Sequence, residues 1–339
     1  MKAVVLREFG GPEVLRVEEV PTPEPGPGEV LIQVHAVSVN RTLDLTVRAG
    51  KYALPVKLPH VLGTDPSGII AAVGAGVTTR KVGDRVATTS IVRVPTPTQS
   101  MIALGVHVWG GYAEYVKVPE AITYAVPAAL DFPTATVVAR HAPTAFSLLR
   151  DEARLKSGEW VLVMGATGGL GSAGIQVAKL IGAKVIAGAG SDERVAAALR
   201  LGADFGVNYR GKDLSDEVRK ITEGRGVNVV FENIGDPELF PKALASLARQ
   251  GRLVTAGSHG GGTVPLDVTR LYLNNLTIIG SFGVLSRADV EASLSAAAEG
   301  KYRVIIDRIL PLSEAPQAHR IVAERAGIGK VILRPMASA

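Results

Sequence analysis

The sequence predicts an α/β protein of two domains, one mostly β and one built on a doubly wound, six-stranded parallel sheet. Three observations carry that prediction. Residues 1–122 are punctuated by Pro and Gly and carry short β-branched runs, whereas strand and helix patterns alternate from about 160 to 282. A glycine-rich stretch, "VMGATGGLGSAG" (Val163 to Gly174), joins the first of those strands to the first of those helices. The chain has 339 residues, too long for one ordinary core.

In chain order, "AVVL", "EVLIQVHAVSV", "SGIIAAVG", "GDRVATTS" and "GGYAEYVKVP" read as strands, and "VPTPEPGPGE" as a rigid connector. "DFPTATVVARHAPTAFSLLRDEA" reads as a helix interrupted near Pro143. The alternation follows: "EWVLVMGA", a helix over 169–181, "AKVIAGA", a helix over 191–201, "FGVNY", a helix near 214–221, "VNVVFENI", a helix near 239–248, "GRLVTAG" and "LTIIGSF". Near-continuous apolar strands alternating with helices require a parallel sheet covered on both faces. The tail adds a helix over 287–300, the strand "YRVIIDRIL", the helix "SEAPQAHRIVAERA" and the strand "GKVILRP". The expected division is a first domain of 1–122 completed by 285–339, and a nucleotide-binding domain of 123–284.

Composition narrows the function classes. A 47% hydrophobic and 20% charged chain is globular. The net charge of +5 comes without a dense Lys/Arg run, so a nucleic-acid partner is not expected. There is no cysteine, which excludes disulfides, thiolate zinc sites and a cysteine nucleophile. No apolar stretch reaches the ~20 residues of a membrane helix, and "MKAVVLREFGG" lacks a signal-peptide apolar run. A cytoplasmic protein with no membrane partner is expected.

The glycine-rich turn sits in the context a dinucleotide fingerprint needs, after an apolar strand and before a helix. The spacing is Ala166-x-Gly168-x-x-Gly171, with Ala at the first position. Gly168 lets backbone approach a pyrophosphate, Gly171 lets helix and strand pack closely, and the helix N-terminus offers N–H groups. Ala166, Thr167, Gly168, Gly169 and Leu170 are therefore candidate cofactor residues, although a ligand-free tight turn would use glycine too. At the tip of the second strand, where NAD sites usually carry an acid, the chain reads Ala189-Gly190-Ser191, followed by Arg194. A guanidinium suits a phosphate dianion, which favours NADP(H). Asp192 and Glu193 beside it keep open a solvated surface Arg194.

Taken together, "PGPGEVLIQVHAVSVN", "LPHVLGTDPSGIIAAVG", "VGDRVA", "GGYAEYVKVP", the glycine turn with "IQVAKLIGAKVI", "GADFGVNYR", "VVFENIG" and the final "GKVIL" resemble the medium-chain dehydrogenase/reductase superfamily over nearly the whole chain. The resemblance implies a GroES-like β domain, a Rossmann domain inserted before the tail, and NADPH contacts at Gly190, Ser191, Arg194 and Tyr209. It also implies a homodimer through the last Rossmann strand. Thr144, Asn233, Gly257, Ser258 and Phe282 are further cofactor-lining candidates.

Zinc-bearing members of the superfamily carry a cysteine where this chain has Asn40, a Gly-His-Glu where it has Gly63-Thr64-Asp65, and a third ligand near Arg140. Amide, hydroxyl and guanidinium are not a zinc set, and the 91–110 lobe is cysteine-free, so no metal is expected. His60, His107 and His141 share no metal-ligand spacing. "VSVN", Asp44 and "VRAGKY" are instead similar to the zinc-independent quinone oxidoreductases and enoyl reductases. The segment "NRTLD" is one residue longer than is common there. In that branch Asn40 lies near the nicotinamide and Tyr52 faces the substrate.

Without a metal, the acceptor must already be electrophilic, as a quinone or an α,β-unsaturated carbonyl is. Tyr52 is the candidate for a hydrogen bond or proton to the carbonyl, and Asn40 for orienting ligand or cofactor. A loop aromatic at Tyr52 and a buried turn amide at Asn40 are the plain alternatives. The function expected is NADPH-dependent, zinc-independent reduction of such an electrophile. An alcohol or aldehyde dehydrogenase, or a non-catalytic NADPH-binding crystallin-like protein, would show the same cofactor features.

Overall fold

A computed structural model describes residues 1–282, 285–325 and 327–336. The chain divides into two compact units. One comprises Met1–Arg140, Val290–Tyr302 and the described residues from Ile306 onward; the other comprises His141–Asp289 and Arg303–Ile305.

In the first unit, the strand Glu29–Ser38 is the hub of a seven-stranded sheet. It pairs antiparallel with Ser67–Val73, with Tyr115–Pro119 and with Lys330–Arg334, the last in the register Ile332 opposite Ser38. Ile306–Pro311 adds parallel to Lys330–Arg334. The alternation "VLIQVHAV" turns Val30, Ile32, Val34 and Val37 into one apolar core with Leu62, Ile70, Tyr112 and Leu333. A separate three-stranded sheet is ordered Leu15–Glu19, Lys2–Leu6, His60–Val61.

The second unit holds six parallel strands: Trp160–Met164, Lys184–Ala189, Phe205–Asn208, Val227–Glu232, Leu247–Thr255 and Thr277–Gly280. Their spatial order is third, second, first, fourth, fifth, sixth. The doubly wound sheet expected from the alternation is therefore present, with the strand order reversing beside the first strand, where ligands bind in such folds. Continuous apolar runs bury both faces: Val161, Leu162, Val163 and Met164 are all buried, as are Val229, Val230 and Phe231.

Three local readings are corrected. The helix Phe132–Phe146 runs through Pro143 without interruption and continues as a π-helix over Ser147–Glu152. The fourth crossover helix stops at Ala245 and the strand starts at Leu247, with a register shift against Val227–Glu232 before Arg252, where Gln250 takes φ 63°. The helix Val268–Leu273, capped by the Asp267 carboxylate on the Arg270 N–H, went unread. It is only six residues long and buries none of them, so it offered no apolar period.

Candidate functional site

The turn after Trp160–Met164 is shaped by backbone contact. Gly165 takes φ 62°, so the left-handed residue of the tight turn is the glycine just before Ala166. A Cβ on Gly171 would meet the Gly165 carbonyl oxygen, the carbonyl carbon and Ala166 Cα, so only glycine lets the helix start this close to the strand. A Cβ on Gly168 would find nothing nearer than the Gly165 oxygen at 3.4 Å. Space is thus free on the outer side of Gly168. No side chain caps the helix Gly169–Ile181, so its first-turn N–H groups and positive dipole end are left for an anion. These features fit a dinucleotide pyrophosphate, and the residues that would hold it are Thr167, Gly168, Gly169 and Leu170.

At the tip of the second strand, Ser191 caps the helix Asp192–Arg200 by accepting from the Arg194 N–H at 3.3 Å. The Arg194 guanidinium reaches back to the turn, donating from Nη1 to Thr167 Oγ1 at 3.3 Å. A Cβ on Gly190 would sit 3.2 Å from the Tyr209 hydroxyl, so that ring lies over Gly190. Gly190, Ser191, Arg194, Tyr209 and Thr167 therefore share one corner, with no carboxylate at the strand tip. Asp192 accepts from Asn208 Nδ2 at 2.9 Å.

The ends of the fourth and fifth strands also meet. Asn233 Nδ2 donates to the Met164 carbonyl at 2.8 Å, and a Cβ on Gly257 would press on the Asn233 carbonyl. Gly235, at φ 62°, packs against Ser258. One N–H of the Asn233 amide thereby ties the end of the fourth strand to the end of the first. Sequence reading passed over Glu232, which is buried and accepts from the Ile234 and Gly235 N–H groups and from the Thr255 hydroxyl. Burial raises its pKa. The signal was there, an acid closing an otherwise apolar strand, but it was read as part of the strand. Thr144 is half-buried on its helix, and the Phe282 ring is exposed.

The first unit brings Asn40, Thr64, Asp65, Arg140 and Lys330 together. Asp65 is buried and accepts from the Ser38 N–H at 2.9 Å, from Ser38 Oγ at 2.5 Å and from Asn40 Nδ2 at 3.1 Å, with Arg140 Nε at 3.7 Å. Asn40 Nδ2 also lies 3.3 Å from Thr64 Oγ1, while Asn40 Oδ1 accepts from Lys330 Nζ at 2.7 Å. The longer "NRTLD" segment is absorbed as a π-helix over Arg41–Leu45, a way of fitting one extra residue into a helical turn. That turn lets Asp44 reach back to the Asn40 N–H at 2.7 Å and the Gly63 N–H at 3.1 Å. Burial pushes the Asp44 carboxyl up to about 6, aided by Asp65, and pulls the Lys330 ammonium down to about 8. Sequence reading missed Lys330 because it lies 290 residues from Asn40.

Tyr52 is half-buried against the apolar core, and burial raises its pKa. Among the described residues nothing hydrogen-bonds its hydroxyl, which leaves that proton for a ligand. The positions that the resemblance aligns with zinc ligands hold an amide, a hydroxyl and a guanidinium, and a further cation, the buried Lys330, touches the amide. That donor set does not fit a zinc ion. Among the described residues no three His, Asp or Glu side chains group as a metal site.

Comparison with known proteins agrees with this architecture. Residues 26–128 match the family model for the alcohol dehydrogenase GroES-like domain, and residues 169–299 that for zinc-binding dehydrogenase. The chain is 33% identical over 340 residues to the quinone oxidoreductase of Homo sapiens, covering 98% of this chain and 97% of that protein. It is 34% identical to an NAD-dependent alcohol dehydrogenase of Sulfolobus acidocaldarius, covering 94% and 95%. Among solved structures, an NAD-dependent alcohol dehydrogenase superposes with a TM-score of 0.90 at 37% identity, covering 99% of this chain and 100% of that one. The Escherichia coli quinone oxidoreductase complexed with NADPH superposes with a TM-score of 0.85 at 28% identity, again covering 99% and 100%.

Proposed function

The chain belongs to the medium-chain dehydrogenase/reductase superfamily, in its quinone oxidoreductase-like branch, and from that premise we propose that it is an NADPH-dependent, zinc-independent reductase of quinones or α,β-unsaturated carbonyls. The observation that carries the reading is the replacement of a metal donor set by Asn40, Thr64 and Arg140, locked together with Asp65 and Lys330. Nothing in that set would ionise an alcohol, so the acceptor must be electrophilic on its own account.

NADPH held through its pyrophosphate would supply the hydride. The turn and the helix N-terminus hold the pyrophosphate, while Arg194, Ser191 and Tyr209 receive the 2′-phosphate. Tyr52 donates to the acceptor oxygen as negative charge builds there, and its proton completes the reduction. Cytoplasmic residence and a homodimer are part of the reading. In support of the dimer, Thr277–Gly280 is the edge of its sheet, and Tyr272, Leu273 and Phe282 are exposed apolar groups close to it in sequence. Among the described residues no helix is long and apolar enough to cross a membrane.

A second reading, as an alcohol dehydrogenase, draws on the similarity to such proteins. One experiment separates the two. Metal-stripped protein is given NADPH anaerobically with an ortho-quinone and, separately, a 2-alkenal. NADPH oxidation with either is the expected result. Silence with both, and activity with an alcohol restored by zinc, would reject the proposal.

A further inference from the structure

Arg194 is held at both of its ends. Its backbone N–H donates to the Ser191 hydroxyl that caps the helix Asp192–Arg200. Its guanidinium donates from Nη1 to Thr167 Oγ1 at 3.3 Å. The arginine is half-buried, and Thr167 is only 3% exposed. A solvated surface arginine, the alternative that the sequence left open, does not fit a side chain tied to a buried hydroxyl. Asp192 and Glu193 beside it are exposed, and Asp192 accepts from Asn208 Nδ2 at 2.9 Å.

The acceptor at Thr167 is neutral. A carboxylate there would pair with the guanidinium and cancel much of its charge, whereas a hydroxyl sets where the fork lies and leaves that charge in place. The corner in which the fork is held lies at the ends of the second and third strands. Gly190 and Ser191 follow the second, and Tyr209 follows the third with its ring over Gly190. In a doubly wound sheet the ribose of a dinucleotide lies at that tip, and an arginine there accommodates the 2′-phosphate of NADP. Thr167 belongs to the other subsite, the turn after the first strand whose helix N-terminus suits a pyrophosphate. One side-chain hydrogen bond therefore joins the two phosphate subsites. An arginine loses rotamer freedom when it grips a phosphate, and that cost falls where a neighbour already holds the fork.

We propose that Thr167 is a positioning residue for cofactor choice: its hydroxyl holds the Arg194 guanidinium ready for the 2′-phosphate, so a residue of the pyrophosphate turn sets the preference for NADPH over NADH. The proposal rests on the NADPH reading above and deepens it. Arg194 meets the phosphate, and Thr167 acts through Arg194.

The test titrates the full chain with NADPH and with NADH and reads the ratio of the two Kd values. The two cofactors share the pyrophosphate, so a turn that merely loosens weakens both and leaves the ratio unchanged. Thr167→Val removes the acceptor and keeps the shape. The ratio should then move about fivefold towards NADH, the size expected for ordering one long side chain. Thr167→Ser restores an acceptor and should keep the ratio within about twofold of wild type. In an Arg194→Gln background, Thr167→Val should change the ratio by less than about twofold, because a residue that acts through Arg194 has nothing left to act on. A Val variant with the wild-type ratio, a Ser variant that behaves like Val, or an undiminished change in the Arg194→Gln background overturns the proposal. Should the Val variant not fold, Thr167→Ala takes its place with the same expectations. Wild-type protein that binds NADH as tightly as NADPH defeats the NADPH reading and this proposal with it. Protein that prefers NADPH whatever stands at position 167 defeats this proposal alone.

Discussion

Gly168→Ala and Gly171→Ala differ by one methyl each, in one turn, and should fail in opposite ways. At Gly168 the backbone has φ −73°, which any residue adopts, and the added methyl would lie 3.4 Å from its nearest neighbour. An Ala there is a poorer helix N-cap than Gly by a few tenths of a kcal/mol or more, offset by about 0.4–1 kcal/mol from a less free unfolded chain. Stability should therefore stay within about 1 kcal/mol of wild type. The same methyl fills the space a pyrophosphate would use, so NADPH affinity should fall about tenfold or more, about 1.4 kcal/mol. At Gly171 the methyl would lie well inside contact distance of the Gly165 carbonyl, atoms that no rotamer change can move. Overpacking of that kind costs about 1–3 kcal/mol, or several degrees of melting temperature. Titration calorimetry with NADPH and thermal melting of the free proteins measure the two quantities separately. A Gly168→Ala protein that melts like wild type and binds NADPH as tightly would refute the pyrophosphate cradle.

Replacing Arg194 by Glu should cut NADPH affinity about tenfold or more and leave NADH little affected, measured as the ratio of the two Kd values; an unchanged ratio removes Arg194 from the phosphate site. Tyr52→Phe should lower kcat with alkenal or quinone without changing NADPH binding, and equal turnover on every acceptor would end its catalytic role. His319 is buried, with Nδ1 3.3 Å from an Arg48 guanidinium nitrogen and Nε2 3.2 Å from the Tyr112 hydroxyl. Arg48 has no acceptor, so Nδ1 must accept and Nε2 carries the proton towards Tyr112. Burial, with help from Arg48, holds this imidazole down to about 3, so between that pH and the ordinary value of about 6.5 the unfolded chain binds the extra proton. The stability tied to neutral His319 is intact above about pH 7 and is lost as pH falls through 6.5 towards 3. By pH 5 that amounts to about 2 kcal/mol. In denaturant titrations, His319→Gln should lose about that much less than wild type between pH 7 and 5, and equal losses would place the titration elsewhere.

What the sequence by itself determined was local or periodic. The helices over 169–181 and near 214–221 were legible because each lies between two apolar strands within a few positions, and the structure forms them over those residues. The glycine turn was legible for the same reason: strand, glycines and helix follow one another without a gap. The Pro143 helix was misjudged because a local rule, that proline breaks a helix, was overridden by packing that buries Ala139, Ala142 and Ala145. The Lys330–Asn40–Asp65 cluster was legible only in part, because Asn40 and Asp65 stood out one by one and Lys330 did not. Its members are spread from position 40 to 330, and what joins them is the pairing of the C-terminal strand with Glu29–Ser38. Burial then does what no sequence pattern records, turning an ordinary lysine into a fixed charge that orients an amide. Which residues form the turn is a property of neighbours along the chain; which charge faces Asn40 was decided only when the chain's two ends met in one sheet.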